Sequence, residues 1–227
     1  MPVPKRLRQN LGLVIGISLG GVALIVLLLP DQEALHARGP MTRGHEEIRC
    51  ENCHRPARGT LRQQIQANAR HLIGLRESPA DFGLSPAGNR ECLACHERPN
   101  ERHPVFRFNE PRFREARSAL HPESCISCHL EHRGVLVTIE DTDYCRHCHE
   151  DTRLKKDPVD VSHETLIETE QWDSCLGCHD FHGNHEMELA QSLQDAIEPE
   201  RIRDYFNGSR SPYAEERKYA ARREPAP

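Results

Sequence analysis

Cys50-Glu-Asn-Cys53-His54, Cys92-Leu-Ala-Cys95-His96, Cys125-Ile-Ser-Cys128-His129, Cys145-Arg-His-Cys148-His149 and Cys175-Leu-Gly-Cys178-His179 repeat one motif five times and use all ten cysteines of the 227-residue chain. Cys-x-x-Cys-His is the covalent attachment signature of c-type haem. Cysteines three apart lie on one side of a helical turn, where both sulfurs reach the two vinyl groups of one porphyrin. The adjoining histidine is then held beneath the iron as its proximal ligand. Zinc ribbons pair two Cys-x-x-Cys knuckles around one tetrahedral ion, and five knuckles do not pair evenly. Dithiol redox motifs normally occur once and need no histidine at the next position.

The sequence therefore predicts five covalently bound c-type haems. Cys50, Cys53, Cys92, Cys95, Cys125, Cys128, Cys145, Cys148, Cys175 and Cys178 are the attachment points. His54, His96, His129, His149 and His179 are the proximal ligands.

The composition agrees. Hydrophobic residues make up 37% of the chain, aromatic residues 5% and charged residues 29%. A chain so polar lacks the material for an ordinary core. Apolar macrocycles buried among short helices and loops would supply it, and the haem-free chain is expected to be largely unfolded. The fold class expected is mainly α and irregular. One N-terminal transmembrane helix precedes a compact multihaem c domain of short helices and loops with little β-structure.

The segment Leu11 to Leu29 holds no charge over 19 residues. As a helix it spans about 28 Å, close to the thickness of a bilayer core. Lys5, Arg6 and Arg8 precede it, and Asp31 and Glu33 follow. The positive-inside rule then leaves residues 1–10 in the cytoplasm and carries the rest across a bacterial inner membrane into the periplasm. No small-residue cleavage site follows Leu29, so the segment reads as a retained single-pass anchor rather than a cleaved signal. Gly12, Gly16 and Gly20 stand four apart, the spacing that lets a second helix approach closely.

Residues 30–48 form a polar tether, 49–185 the haem domain and 186–227 a charged, helix-prone tail expected to be partly mobile. Within the domain, Leu61 to Arg76 predicts an amphipathic helix with Leu61, Ile65, Ala69, Leu72 and Ile73 on one face. A Pro- and Gly-rich link follows. Val135 to Ile139 predicts a short strand. In the tail, Met187, Leu189, Leu193 and Ile197 fit one helical face. The motifs begin 42, 33, 20 and 30 residues apart, an irregular tandem rather than a strict repeat.

The fifteen histidines leave ten after the proximal five, and five more would give every iron two imidazoles. Met1, Met41 and Met187 are the only methionines, so Met/His ligation cannot be the rule. His132 and His182 each stand three residues after a proximal histidine, too near their own motif, and are expected to reach a neighbouring haem. His163 precedes Cys175 by twelve residues, enough to loop over the distal face of its own haem. His103, His121, His132, His163 and His182 are the distal candidates, with His45, His71 and His185 in reserve. His36, near the membrane, and His147, inside a motif, are weaker choices. Arg55, Arg98, Arg133 and Arg146 stand near motifs and are candidates for pairing with haem propionates.

Over residues 45 to 185 the clustered motifs, the histidines shortly after a motif and the histidine ahead of another resemble the class III multihaem cytochromes c. The resemblance implies closely packed haems, bis-histidine ligation, low potentials and electron transfer. Five motifs and an anchor depart from that family's usual three or four, so its haem order does not carry over.

The expected function is that of an electron carrier between redox proteins at the membrane and in the periplasm, not an enzyme. The alternative is a quinol dehydrogenase subunit of the NapC/NrfH type feeding a periplasmic reductase. That type has a Met just after its first motif, where this chain reads His54-Arg-Pro. A terminal reductase with one open haem is a further alternative. The ammonia-forming pentahaem enzymes use Cys-x-x-Cys-Lys at the active haem, whereas all five motifs here end in His. The net charge of −5 and the lack of a basic–aromatic stripe give no sign of nucleic-acid binding.

Overall fold

In the computed structural model the chain forms two units, Met1–Pro40 and Met41–Pro227. The described residues are 5–29, 37–139, 143–188, 190–214 and 217–223. Asp31, Glu33, His36 and Leu189 lie outside them.

The first unit is helix α1, Lys5–Leu28. Residues Arg6–Val26 are long and apolar enough to cross a membrane, with a mean hydropathy of 1.9 and no part buried within the protein. The helix starts ahead of the apolar run, because lysine and arginine are good helix formers. A methyl group built on Gly12, Gly16 or Gly20 would meet nothing within 4 Å.

The second unit is a succession of short helical turns joined by irregular chain. Its α-helices are α2 (Cys50–Cys53), α3 (Leu61–Leu72), α4 (Asn89–His96), α5 (Arg114–Leu120), α6 (Arg146–His149), α7 (His163–Glu168), α8 (Cys175–Cys178) and α9 (Pro199–Phe206). Among the described residues there is no β-strand, only isolated bridges such as Pro56 with Leu84. The strand expected at Val135 to Ile139 is absent. The Leu136 and Val137 N–H groups both donate to the Phe206 carbonyl, and Thr138 N–H donates to that of Cys128. These bonds go to a helix end and a motif turn rather than to a partner strand.

Helix α3 begins with a capping box: Thr60 Oγ1 accepts from Gln63 N–H, and the Gln63 side chain accepts from Thr60 N–H. It ends four residues short of the predicted Arg76, where Gly74 adopts φ +75° and the N–H of Leu75 reaches back to the carbonyl of Arg70. The predicted apolar face is not the packed one: Leu61 is 59%, Ile65 52% and Leu72 87% exposed. Polar side chains fix the helix instead. Gln64 donates to the carbonyls of Ala57 and Gly59 and accepts from Gly83 N–H, while Asn68 exchanges two hydrogen bonds with the backbone of Ala80.

The apolar core is small. Leu176, Ile202, Phe206 and Tyr213 form its buried cluster, with Tyr144, Phe181 and Ile197 against it. Tyr213 satisfies its hydroxyl by donating to the Leu176 carbonyl at 3.1 Å. Three of these four residues come from the charged C-terminal stretch, which is integrated rather than loose. Lys218 and Tyr219 N–H groups donate to Asn184, and Arg222 N–H donates to the Cys95 carbonyl. The single helical face expected over Met187 to Ile197 is replaced by irregular chain and one 3₁₀ turn at Leu193–Asp195, and the helix comes later, at α9. Pro199 explains the shift, since proline is well tolerated only in a helix's first turn.

Candidate haem sites

Each Cys-x-x-Cys lies on a helical turn: α2, the end of α4, the 3₁₀ turn Cys125–Ser127, the junction of the 3₁₀ turn Asp143–Cys145 with α6, and α8. In the first, third and fifth motifs the proximal histidine N–H donates to the carbonyl of the first cysteine, at 2.8, 2.9 and 2.9 Å. His54 and His179 then leave the turn in extended conformation, with ψ 138° and 134°, which ends the helix at the histidine. No disulfide joins any of the ten cysteines.

Opposite each proximal imidazole stands one other imidazole. His54 faces His132 with ring centres 6.2 Å apart, His96 faces His45 at 5.8 Å, and His129 faces His182 at 5.9 Å. His149 faces His103 at 6.1 Å and His179 faces His163 at 6.2 Å. Two nitrogen–iron bonds of about 2 Å, with about 1.1 Å from each nitrogen to its ring centre, span about 6.2 Å. The gaps therefore have the width that one iron between two imidazoles requires.

The Nδ1 atoms strengthen the fit. Nδ1–H of His54 donates to the Ser85 carbonyl at 2.9 Å and that of His129 to the Leu136 carbonyl at 2.7 Å. Across the gaps, His45 donates to Glu131 at 2.9 Å, His103 to the Phe181 carbonyl at 2.5 Å, His163 to Asp157 at 3.0 Å and His182 to Glu101. An imidazole bound through Nδ1–H has Nε2 left as the atom for iron. His132 differs, because its Nδ1 is buried and meets no acceptor among the described residues.

Electrostatics favour the neutral, ligating form of four of these rings. Burial lowers the pKa of His103, His129 and His179, and brings His96 down to about 4. His45 is the exception, raised by its bond to Glu131. Burial would raise the Glu131 carboxyl, but the bonds from His45 and from Thr42 hold it down at about 2.

Of the distal candidates, the structure brings His103, His132, His163 and His182 to a proximal imidazole and leaves His121 apart. His121 is the C-cap of α5, with φ +50°, and its side chain is 69% exposed beside Glu123. His45, held in reserve, takes the place opposite His96. His71, on α3, donates from Nδ1 to the Arg76 carbonyl beyond the helix end, and His185 donates from Nδ1 to Asp180 with its Nε2 buried and unmatched. His132 and His182 face motifs other than the ones they follow, while His163 faces the motif twelve residues downstream. Arg98 and Arg146 are paired with Glu101 and Asp143.

Glu101, Glu131 and Asp157 are functional candidates that the sequence did not single out. Glu131 adjoins His132 and Glu101 lies two before His103, yet each bonds the imidazole of a different site, so nearness in sequence misassigns them.

Turns bearing thiol pairs and a histidine, each opposed by a second imidazole at iron-spanning distance, define a multihaem c-type cytochrome: covalently bound iron haem serving electron transfer with redox partners. The family model for cytochrome c3 matches residues 42–150, just under half of the chain and four of the five motifs, so that stretch is similar to class III multihaem sequence. No curated protein and no solved structure matches the chain.

Proposed function

We propose that the protein is a membrane-anchored pentahaem carrier that passes single electrons between membrane-bound and periplasmic partners, not an enzyme. The observation behind this reading is that all five proximal histidines face a second imidazole 5.8–6.2 Å away. The ligand pairs are His54 with His132, His96 with His45, His129 with His182, His149 with His103, and His179 with His163. This assignment exchanges His121 for His45. Bound haem supplies a one-electron iron couple in each site. The chain's part is to set an imidazole on each side of every iron, with Nδ1 bonds fixing His45, His54, His103, His129, His163 and His182, and to leave no axial position for substrate. A terminal reductase needs such a position, and this arrangement supplies none.

The sites are numbered by motif, and their packing follows chain order. Helix α2 packs on α4, and α4 on the turn at Cys125, which joins sites 1, 2 and 3. The 3₁₀ turn Asp143–Cys145 packs on the turn Trp172–Ser174 that leads into Cys175, which joins sites 4 and 5. Sites 3 and 4 meet through Phe181, whose ring stacks on His103 at 4.3 Å and stands edge-on to His182 at 5.1 Å. We read this as one path, 1–2–3–4–5. The basic residues at the start of α1 favour a cytoplasmic N-terminus in a bacterial inner membrane and a periplasmic haem domain. The open glycine face of α1 suits a partner helix, and a quinol-oxidising membrane protein is one suitable partner.

The test is the haem-to-protein ratio together with the EPR spectrum of the oxidised protein. Five low-spin haems with no high-spin signal are expected. A ratio well below five, or one high-spin haem per chain, would overturn the assignment.

A further inference from the structure

The five distal imidazoles differ in what holds their outer nitrogen. His45 donates to the Glu131 carboxylate, His163 to both oxygens of Asp157 at 3.0 Å, and His182 to Glu101. His103 donates to a neutral carbonyl, that of Phe181, and His132 to nothing among the described residues. A carboxylate on Nδ1–H draws the proton outward and makes Nε2 a stronger donor. Its negative charge also favours the more positive, oxidised state of a nearby iron. A carbonyl does less, and an unmatched Nδ1 does least.

We propose that Glu131, Glu101 and Asp157 set the potentials along the array, making sites 2, 3 and 5 low, site 4 intermediate and site 1 the high-potential end. This rests on the pentahaem, bis-histidine reading above. Site 3 is the least depressed of the three low sites, because Arg98 stands 3.6 Å from the same Glu101 carboxylate and offsets its charge. The profile along the path is not a slope. It rises at site 4 between two low sites and is highest at the end formed by His54 and His132. The first electron to enter therefore comes to rest at site 1, and the second at site 4.

The experiment is a spectroelectrochemical titration of the full haem-loaded chain at fixed pH, with EPR and haem content measured on each sample. Glu131→Gln, Glu101→Gln and Asp157→Asn should each move one of the five one-electron components to higher potential and leave four in place. Arg98→Leu should move the site 3 component to lower potential, and most of that shift should vanish in the Glu101→Gln background. Unmoved midpoints in variants that keep five low-spin haems would overturn the proposal and leave the pentahaem reading intact. Fewer than five haems, or a high-spin signal, in the unaltered protein would overturn the pentahaem reading and this proposal with it. A carboxylate variant that loses its distal ligand shows a high-spin signal of its own. Arg98→Leu then decides by the sign of its shift, and no shift or an upward one overturns the proposal.

Discussion

His103 and His182 hold one another in place: His182 donates from Nδ1 to Glu101, two residues before His103, and His103 donates from Nδ1 to the carbonyl of Phe181, the residue before His182. The Arg102 N–H, donating to the His182 carbonyl at 3.3 Å, closes the lock. Two distal imidazoles of adjacent sites are thus fixed by one exchange between segments 101–103 and 181–182. Truncating the ring between them, Phe181→Ala, is expected to cost about 1–3 kcal/mol of stability. It should alter the low-spin EPR signals of sites 3 and 4 together, leaving those of sites 1, 2 and 5 unchanged. Signals that change at one site only would contradict the shared lock.

The exchange of His121 for His45 gives a second prediction. His45→Ala should convert one haem to high spin and open it to carbon monoxide. His121→Gly should leave all five low-spin and keep or raise stability by up to about 1 kcal/mol, because His121 sits at φ +50°, where glycine carries no steric penalty. Spectra of the two variants, recorded side by side, decide between the two histidines.

A third concerns the fifth motif. A methyl group on Gly177 would stand 2.5 Å from the Ile197 carbonyl oxygen, so Gly177→Ala must push α8 away from the chain leading into α9. A loss of about 1–3 kcal/mol is expected, seen as a lower urea midpoint. Ile202, 1% exposed at the centre of the cluster, should lose about 2–5 kcal/mol on truncation to alanine. If either variant unfolds at the unaltered midpoint, the C-terminal stretch is not part of the folded unit.

The haem-free chain should not hold this structure. Among the described residues of the second unit, only eight apolar side chains are buried, two of them alanines. Unit-length burial of so few side chains falls well short of the ordering entropy of a domain this size. Far-UV circular dichroism of a preparation made without haem attachment should show little helix beyond α1, and native-like dichroism would contradict the dependence on cofactor.

What the sequence disclosed followed from covalent chemistry and short range. The motif turns, the α1 helix and the start of α3 at Thr60 depend on residues within four positions of each other. The placing of His163 needs a longer reach, a loop of twelve residues to Cys175, and it faces a histidine sixteen residues away. The apolar pattern of Leu61, Ile65 and Leu72 pointed to the wrong face, because two amides, Gln64 and Asn68, hold the helix through bonds to loops that periodicity does not register. His45 faces His96 with its Nδ1 held by Glu131, 86 residues further along the chain. Local spacing carries no trace of a carboxylate brought from that distance. The C-terminal stretch looked loose because its charges outnumber its anchors. Ile202, Phe206 and Tyr213 are few, but they are placed where the core needs them.

The segment from Cys128 to His132 serves three sites in five residues. Cys128 and His129 belong to site 3, Glu131 bonds the distal imidazole of site 2, and His132 faces the proximal imidazole of site 1. Assembly inherits this arrangement. On the proposed reading this short stretch supplies groups to two sites encoded earlier in the chain, so those two stay incomplete until synthesis has passed residue 132. Maturation in the N-terminal half is therefore collective, and intermediates carrying finished sites 1 and 2 without site 3 should not accumulate.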